Sequence, residues 1–287
     1  METLGPTGEL KRGEGRLLCE LFAMSSRMPT AVTYSLDEFS KYGSRIRHNR
    51  DGWGIALARD RDAFLVKEPE PAASSIWVRF IAEHAIETTV AIAHVRYATR
   101  GLHTMENTHP FRRALGRRTH FFAHNGTLKE IEKTINSADL AYVPIGDTDS
   151  ELAFCALLSR LKPYYERNEI PSLESRFDVF SNHCDEMKEL GPSNFLYYDG
   201  EILFVHAHKR IYEEGGELVG PKPPGLHIKR CWTCTNQKEV SCPGLKIDLP
   251  DHQTVLLASV PLDDQGWEGL EEGAVLALKE GEVLKQA

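Results

Sequence analysis

Short apolar blocks, rather than long 3.6-residue stripes, dominate the pattern along this chain, and blocks of that kind predict buried strands. The first runs from Cys19 to Ser25. A polar turn, His48-Asn49-Arg50-Asp51, then feeds a second block through Gly52-Trp53-Gly54 to Ala58, and Phe64 to Lys67 pairs with it as a hairpin. Val90 to Tyr97 is almost wholly apolar, which predicts a central strand. Thr119 to His124 is another strand and runs straight into Asn125-Gly126. The C-terminal third predicts strands at Phe195–Tyr198, Glu201–His208, Gln253–Ser259 and Ala274–Leu278, the last turning at Glu280-Gly281 into Val283–Leu284.

Helical spacing is confined to a few stretches. Ser35-Leu36-Asp37-Glu38 reads as a capping box opening a short helix that Gly43 ends. Ile76 to His84 has helical period. Asp147 to Glu151 caps a helix with the stripe Leu152, Cys155, Leu158 and Leu161, and Ser175 to Leu190 predicts another. Ala98 to Phe111 has little periodicity and reads as a loop. The order is strands, helices, then strands again, without βαβ alternation. That predicts an α+β fold with mostly antiparallel sheets, for which two sheets covered by helices is one solution.

Composition narrows the function classes. Apolar residues make up 41% and charged residues 26% of 287 positions, a globular balance that allows one large domain. The net charge of −8 (34 basic minus 42 acidic) lacks the footprint of a nucleic-acid binder. No apolar run approaches the ~20 residues of a membrane span. Residues 1–18 mix Glu2, Glu9 and Glu14 with Lys11, Arg12 and Arg16 around no apolar core, so they are not a secretory signal, and residues 1–17 are expected to be disordered. Six cysteines without such a leader predict reduced thiols in a cytoplasm.

The candidate chemistry lies at the ends of strands. If the chain begins at Cys19, thiol and free α-amine sit on one residue. Their ordinary pKa values, ~8.5 and ~7.7–8.0, make a nucleophile and base matched to neutral pH. Arg96 to Thr99, His124 to Gly126 and Asp147 to Glu151 are polar clusters that converge if their elements share a sheet edge. An arginine grips a carboxylate, an aspartate takes an ammonium, and Asn-Gly offers an amide donor and an unobstructed N–H for an oxyanion. With a thiol, these parts fit an α-amino acid whose side-chain amide is attacked, and glutamine has that shape.

The ordered motifs Cys19-Glu20-Leu21, His94-Val95-Arg96-Tyr97-Ala98-Thr99, Glu106-Asn107-Thr108-His109-Pro110-Phe111, His124-Asn125-Gly126 and Thr148-Asp149-Ser150-Glu151 resemble those of class II glutamine amidotransferases, a branch of the N-terminal-nucleophile (Ntn) hydrolases. Asp51-Gly52-Trp53-Gly54 and Ala258-Ser259-Val260-Pro261-Leu262 resemble the small stand-alone branch that has no fused synthase. The resemblance covers residues 19–287, leaving 1–18 as a leader. It implies a four-layer αββα sandwich, Cys19 as nucleophile with its own amine as base, and Asn125 and Gly126 as oxyanion donors. Arg96 would hold the substrate α-carboxylate, Asp149 the α-ammonium, and Thr99 would line the pocket. It implies hydrolysis of glutamine or a γ-glutamyl compound through a thioester, with no cofactor and no metal. Ammonia would pass to a separate synthase subunit, since no synthase domain is expected after residue 287, or the deacylation is itself the purpose.

Cys19 is not residue 2, a departure from the family. Translation starting at Leu18 and trimmed before Cys19 is the preferred expectation, autocatalytic loss of residues 1–18 its rival, and a retained leader would leave the base in a peptide bond. Two other readings stand beside the enzyme: a non-catalytic γ-glutamyl-binding subunit, and a zinc module at Cys231, Cys234 and Cys242 with His227. Cys155 is expected in the core. His48, His94, His109 and His124 are expected to act as hydrogen-bonding supports rather than as ligands.

Overall fold

The computed structural model describes residues 19–32, 51–96, 102–167, 170–214, 217–233 and 252–287. The expected leader, the helix at 35–43, His48, Thr99, Cys234 and Cys242 lie outside the described residues. In chain order the strands are β1 (Glu20–Ala31), β2 (Trp53–Arg59), β3 (Asp62–Glu68), β4 (Glu87–Val95), β5 (Phe111–Leu115), β6 (Arg118–Gly126), β7 (Ser193–Tyr198) and β8 (Leu203–His206). They continue with β9 (Arg210–Glu214), β10 (Glu217–Lys222), β11 (His227–Thr233), β12 (His252–Ala258), β13 (Trp267–Gly269), β14 (Val275–Lys279) and β15 (Glu282–Gln286). The three longer helices are α1 (Ile76–His84), α2 (Asp149–Arg167) and α3 (Leu173–Lys188).

Two antiparallel sheets organise these elements. One has the order β13-β11-β12-β1-β4-β2-β3 and the other β15-β14-β8-β7-β6-β5, with β9 and β10 as a separate hairpin. Leu21 and Ala23 of β1 point between the sheets, where they meet Phe121 and Ala123 of β6, Leu196 of β7 and Leu257 of β12. Phe22 and Met24, one residue out of phase, pack with Val78 and Ile81 of α1 on the outer face. The period of two thus gives β1 two buried faces, which is why its sequence is apolar rather than alternating. The second sheet turns Phe122, Phe195, Tyr197 and Phe204 onto Phe154, Leu158 and Leu161 of α2 and onto Phe180 and Met187 of α3. The layers are therefore α, β, β, α, as expected. Each Leu or Phe so buried contributes about 1.5–3 kcal/mol.

Differences from the expected elements concern short or charged strands. β5 occupies a stretch whose first residue had been read as loop, and β9, β10 and β11 were not expected. β6 runs past His124: Asn125 and Gly126 pair within the ladder opposite Asn194 and Ser193. The reduced-thiol expectation fails at one position. Cys231 is disulfide-bonded. Cys19, Cys155 and Cys184 are in no disulfide, so its partner lies outside the described residues. A disulfide sulfur is no thiolate ligand, which removes Cys231 from the zinc reading. Among the described residues no group of three or more His, Cys, Asp or Glu is arranged to hold a metal, and no helix is long and apolar enough to cross a membrane.

Candidate active site

Strand register brings the first two residues together. β1 and β4 pair antiparallel with Glu20 opposite Val95, so Cys19 and Arg96 face each other at the same end of the ladder. β1 is central in its sheet, and Cys19 stands half-buried where the strand emerges, its sulfur outside any disulfide. Arg96 is buried at 4% exposure and anchored by its Nη1 donating to the carbonyls of Leu102 at 3.1 Å and Asp51 at 3.4 Å. Burial pulls its pKa down, against which the charges of Cys19, Asp51 and Asp147 favour the cation.

The second sheet supplies the oxyanion candidates. Asn125 Nδ2 donates to the Cys19 carbonyl at 2.7 Å and lies 3.2 Å from Ser259 Oγ. An acceptor carbonyl fixes which end of the Asn125 amide faces Cys19. The backbone of Asn125 is held in turn by Asn194, whose Nδ2 donates to the carbonyls of Asn125 at 3.0 Å and Lys209 at 2.8 Å. Gly126 is required by close approach, because a Cβ there would overlap the Pro192 carbonyl and the His124 ring.

Asp149 begins α2 immediately beside this strand end. Its Oδ2 accepts from the backbone N–H of Leu128 at 2.7 Å and its Oδ1 from that of Ser150 at 2.8 Å. Ser150 Oγ adds a contact to Oδ1 at 3.2 Å, so three of a carboxylate's roughly four acceptor positions are used and one remains. His124 links Asp149's neighbour to β6, its Nδ1 lying 2.8 Å from Ser150 Oγ and its Nε2 3.3 Å from the Pro192 carbonyl. Burial lowers the His124 pKa, with the Asp149 charge acting against it.

The loop between β4 and β5 is tied to the start of α2. Asn107 accepts from the Asp147 N–H at 3.0 Å and donates to the Leu102 carbonyl at 3.2 Å, the same carbonyl that holds Arg96. Thr148 Oγ1 caps α2 by accepting from the Glu151 N–H at 3.2 Å. The Glu151 side chain does not reach back to the cap residue. It accepts from the N–H groups of Ile145 at 3.1 Å and Gly146 at 2.7 Å and pairs with Arg113 at 2.5 Å. His94 and His109 also depart from expectation: their rings meet tilted by 45° with centroids 4.3 Å apart, and none of the four ring nitrogens has a hydrogen-bond partner among the described residues. Burial drives both imidazoles neutral, His94 to about 3.

The expected residues Cys19, Arg96, Asn125, Gly126 and Asp149 thus occupy neighbouring ends of the two sheets and α2. Ser259, Asn194, Asn107 and Glu151 support them and were given no role from sequence. Buried single Ser or Asn residues carry no periodic signal; the quoted motifs containing Ser259, Asn107 and Glu151 were the available hint.

Comparison with known proteins bears on the family and the fold. Residues 18–287 match the family model of class II glutamine amidotransferases. A protein of Escherichia coli K12 provisionally named as the glutamine amidotransferase YafJ is 32% identical over 195 residues, covering 68% of this chain and 75% of its own length. An uncharacterised Methanocaldococcus jannaschii protein is 31% identical over 275 residues, covering 93% of this chain and 71% of its own. The crystal structure of a Pseudomonas aeruginosa protein, described as a predicted glutamine amidotransferase, superposes with a TM-score of 0.66 at 28% identity, covering 93% of this chain and all of that one. The glutamine phosphoribosylpyrophosphate amidotransferase of Bacillus subtilis shares the fold at a TM-score of 0.57 and 16% identity, with 94% of this chain matching 49% of that one. The chain belongs to the class II glutamine amidotransferase family.

Proposed function

We propose that this protein is an amidohydrolase in which Cys19 attacks the γ-amide carbonyl of glutamine or a γ-glutamyl compound. The observation that carries the reading is the 2.7 Å contact between Asn125 Nδ2 and the carbonyl of Cys19, which sets an amide donor beside the residue bearing the sulfur. The thiol proton passes to the α-amine of Cys19, directly or through a water, as sulfur bonds to the γ-carbon. The oxygen that becomes negative is received by Asn125 Nδ2 and the Gly126 N–H. The protonated α-amine of Cys19 gives that proton to the leaving nitrogen, and the tetrahedral species collapses to release ammonia or a larger amine. Water then attacks the γ-glutamyl thioester and returns the thiol with free glutamate.

Recognition falls to two charges. Arg96 takes the α-carboxylate, favoured by a desolvated guanidinium whose fork suits two oxygens. Asp149 takes the α-ammonium through its remaining acceptor position. No cofactor is needed for these steps. The amine base requires a free Cys19 nitrogen, so residues 1–18 must be absent from the active form.

The test is a glutaminase assay on protein engineered to begin Met-Cys19, beside its Cys19→Ser variant and the full-length chain, with intact mass recorded for each. Ammonia and glutamate from forms whose mass begins at Cys19, and from no other, is the expected result. Equal turnover in all three overturns the reading, and glutamine binding without turnover in the first would make the protein a binding subunit.

A further inference from the structure

Ser259 follows the last residue of β12 and is fully buried. Each of its polar atoms is engaged. Its N–H donates to the Leu21 carbonyl at 3.0 Å. Its carbonyl accepts from Arg210 Nη1 at 2.6 Å and lies 3.2 Å from His227 Nδ1. Its Oγ accepts from the Leu21 N–H at 3.0 Å and faces Asn125 Nδ2 at 3.2 Å. One side chain therefore touches both the strand that carries Cys19 and the amide that faces it.

Arg210 holds this residue from below. It forms a two-pronged pair with Glu20, Nη2 to Oε1 at 2.9 Å and Nη1 to Oε2 at 3.2 Å, with both side chains buried. A buried ion pair adds little stability over apolar residues of the same size, so stability alone gives no reason for one here. Its location does. Glu20 is bonded to Cys19, and the same guanidinium grips the Ser259 carbonyl, so a planar fork fixes the two residues relative to each other.

We propose that Ser259, clamped by the Glu20–Arg210 pair, is the positioning residue that holds the Asn125 amide against Cys19 and acts as its pivot during acylation. The proposal rests on the functional reading above. An amide nitrogen has two hydrogens, and here one is on the Cys19 carbonyl and the other faces Ser259 Oγ. An oxyanion at the attacked carbon therefore finds no uncommitted Nδ2 hydrogen. A charged acceptor outcompetes a neutral carbonyl, so the hydrogen on Cys19 moves to the oxyanion. The bond to Ser259 persists and keeps the amide plane aimed. Without Ser259 Oγ the second hydrogen is unsatisfied and the amide turns toward other acceptors, so the loss falls on the transition state rather than on substrate binding.

The test is steady-state hydrolysis of glutamine by protein whose mass begins at Cys19. Ser259→Ala is expected to lower kcat by about 10²-fold, the scale of a misplaced catalytic group, with KM nearly unchanged. Arg210→Lys, which keeps the charge and loses the fork, is expected to lower kcat in the same direction. A Ser259→Ala protein with wild-type kcat, or one whose KM rises while kcat holds, overturns the proposal alone. If Ser259→Ala lacks a cooperative urea transition, Arg210→Lys decides, and unchanged kcat in that variant overturns it. Absence of turnover by the unsubstituted protein overturns the functional reading and this inference with it.

Discussion

The side-chain amide of Asn125 donates to the backbone carbonyl of Cys19 across 106 residues of sequence and from one sheet to the other. Removing the amide removes the donor proposed for the oxyanion. Asn125→Ala should lower kcat by about 10²–10³ while glutamine KM changes little. Ammonia release measured at saturating glutamine checks this, and a variant with unaltered kcat would mean that Asn125 serves only the fold.

Arg96 faces Cys19 at the end of the β1–β4 ladder with its guanidinium tied to Leu102 and Asp51. Arg96→Lys keeps a cation but cannot make two parallel bonds to a carboxylate. A charge-assisted hydrogen bond contributes about 1.5–3 kcal/mol, so KM should rise about 10- to 100-fold. The same substitution should leave KM nearly unchanged for substrates that lack the α-carboxylate, because such substrates never used the fork, so discrimination in favour of glutamine falls by the same factor. Comparing glutamine with its α-amide analogue provides the measurement.

Several imidazoles are buried in neutral form. Burial lowers the pKa of His183, His206 and His94 to about 3 and that of His120 to about 4. The unfolded imidazole titrates near ~6.5, so between that value and the folded one the unfolded state binds a proton that the folded state refuses. Stability is therefore full above pH ~6.5 and falls as the pH drops toward the folded values. His183 projects from α3 toward Phe195, ring centroids 6.1 Å apart, and neither ring nitrogen has a hydrogen-bond partner among the described residues. His183→Leu should flatten the stability profile by about 1.4 kcal/mol per pH unit below 6.5. Urea unfolding at pH 7.5, 6 and 5 measures it, and parallel profiles for both proteins would refute the assignment.

Arg176 and Asp199 form a buried ion pair at 2.7 Å that pins α3 to the turn after β7. Asp199 also accepts from the N–H groups of Glu201 at 2.9 Å and Ile202 at 2.8 Å. Asp199→Ala leaves a buried guanidinium and two amides without that acceptor, and should cost about 3–5 kcal/mol. Chemical denaturation at pH 7.5 gives the value. A loss under 1 kcal/mol, the scale of an exposed pair, would mean water replaces the carboxylate.

Much of the fold could be read from apolar pattern alone. β1, β2, β4, β6, β7, β12 and β14 are buried on both faces or nearly so, and such strands announce themselves as apolar blocks. α1 and α2 were visible in their spacing, since one face of each meets a sheet. The residues proposed for the chemistry were visible too, because Cys19, Arg96, Asn125 and Asp149 stand at strand or helix ends where polar residues interrupt those blocks.

What pattern could not reveal has a common physical cause. Arg113 in β5, Arg210 in β9 and Lys229 in β11 turn inward and break the alternation that marks a strand. Each is compensated by a carboxylate remote in sequence: Glu151, Glu20 and Asp263. A cation in a strand reads as a surface residue until its partner is known, and the partner is known only when the chain has folded. The same holds for Ser259, whose significance lies in touching Leu21 and Asn125 at once. Sequence by itself determined most of the buried strands, the longer helices and the polar residues at their ends; tertiary structure decided which buried charges and hydroxyls hold them in register, because those contacts join segments that no local pattern connects.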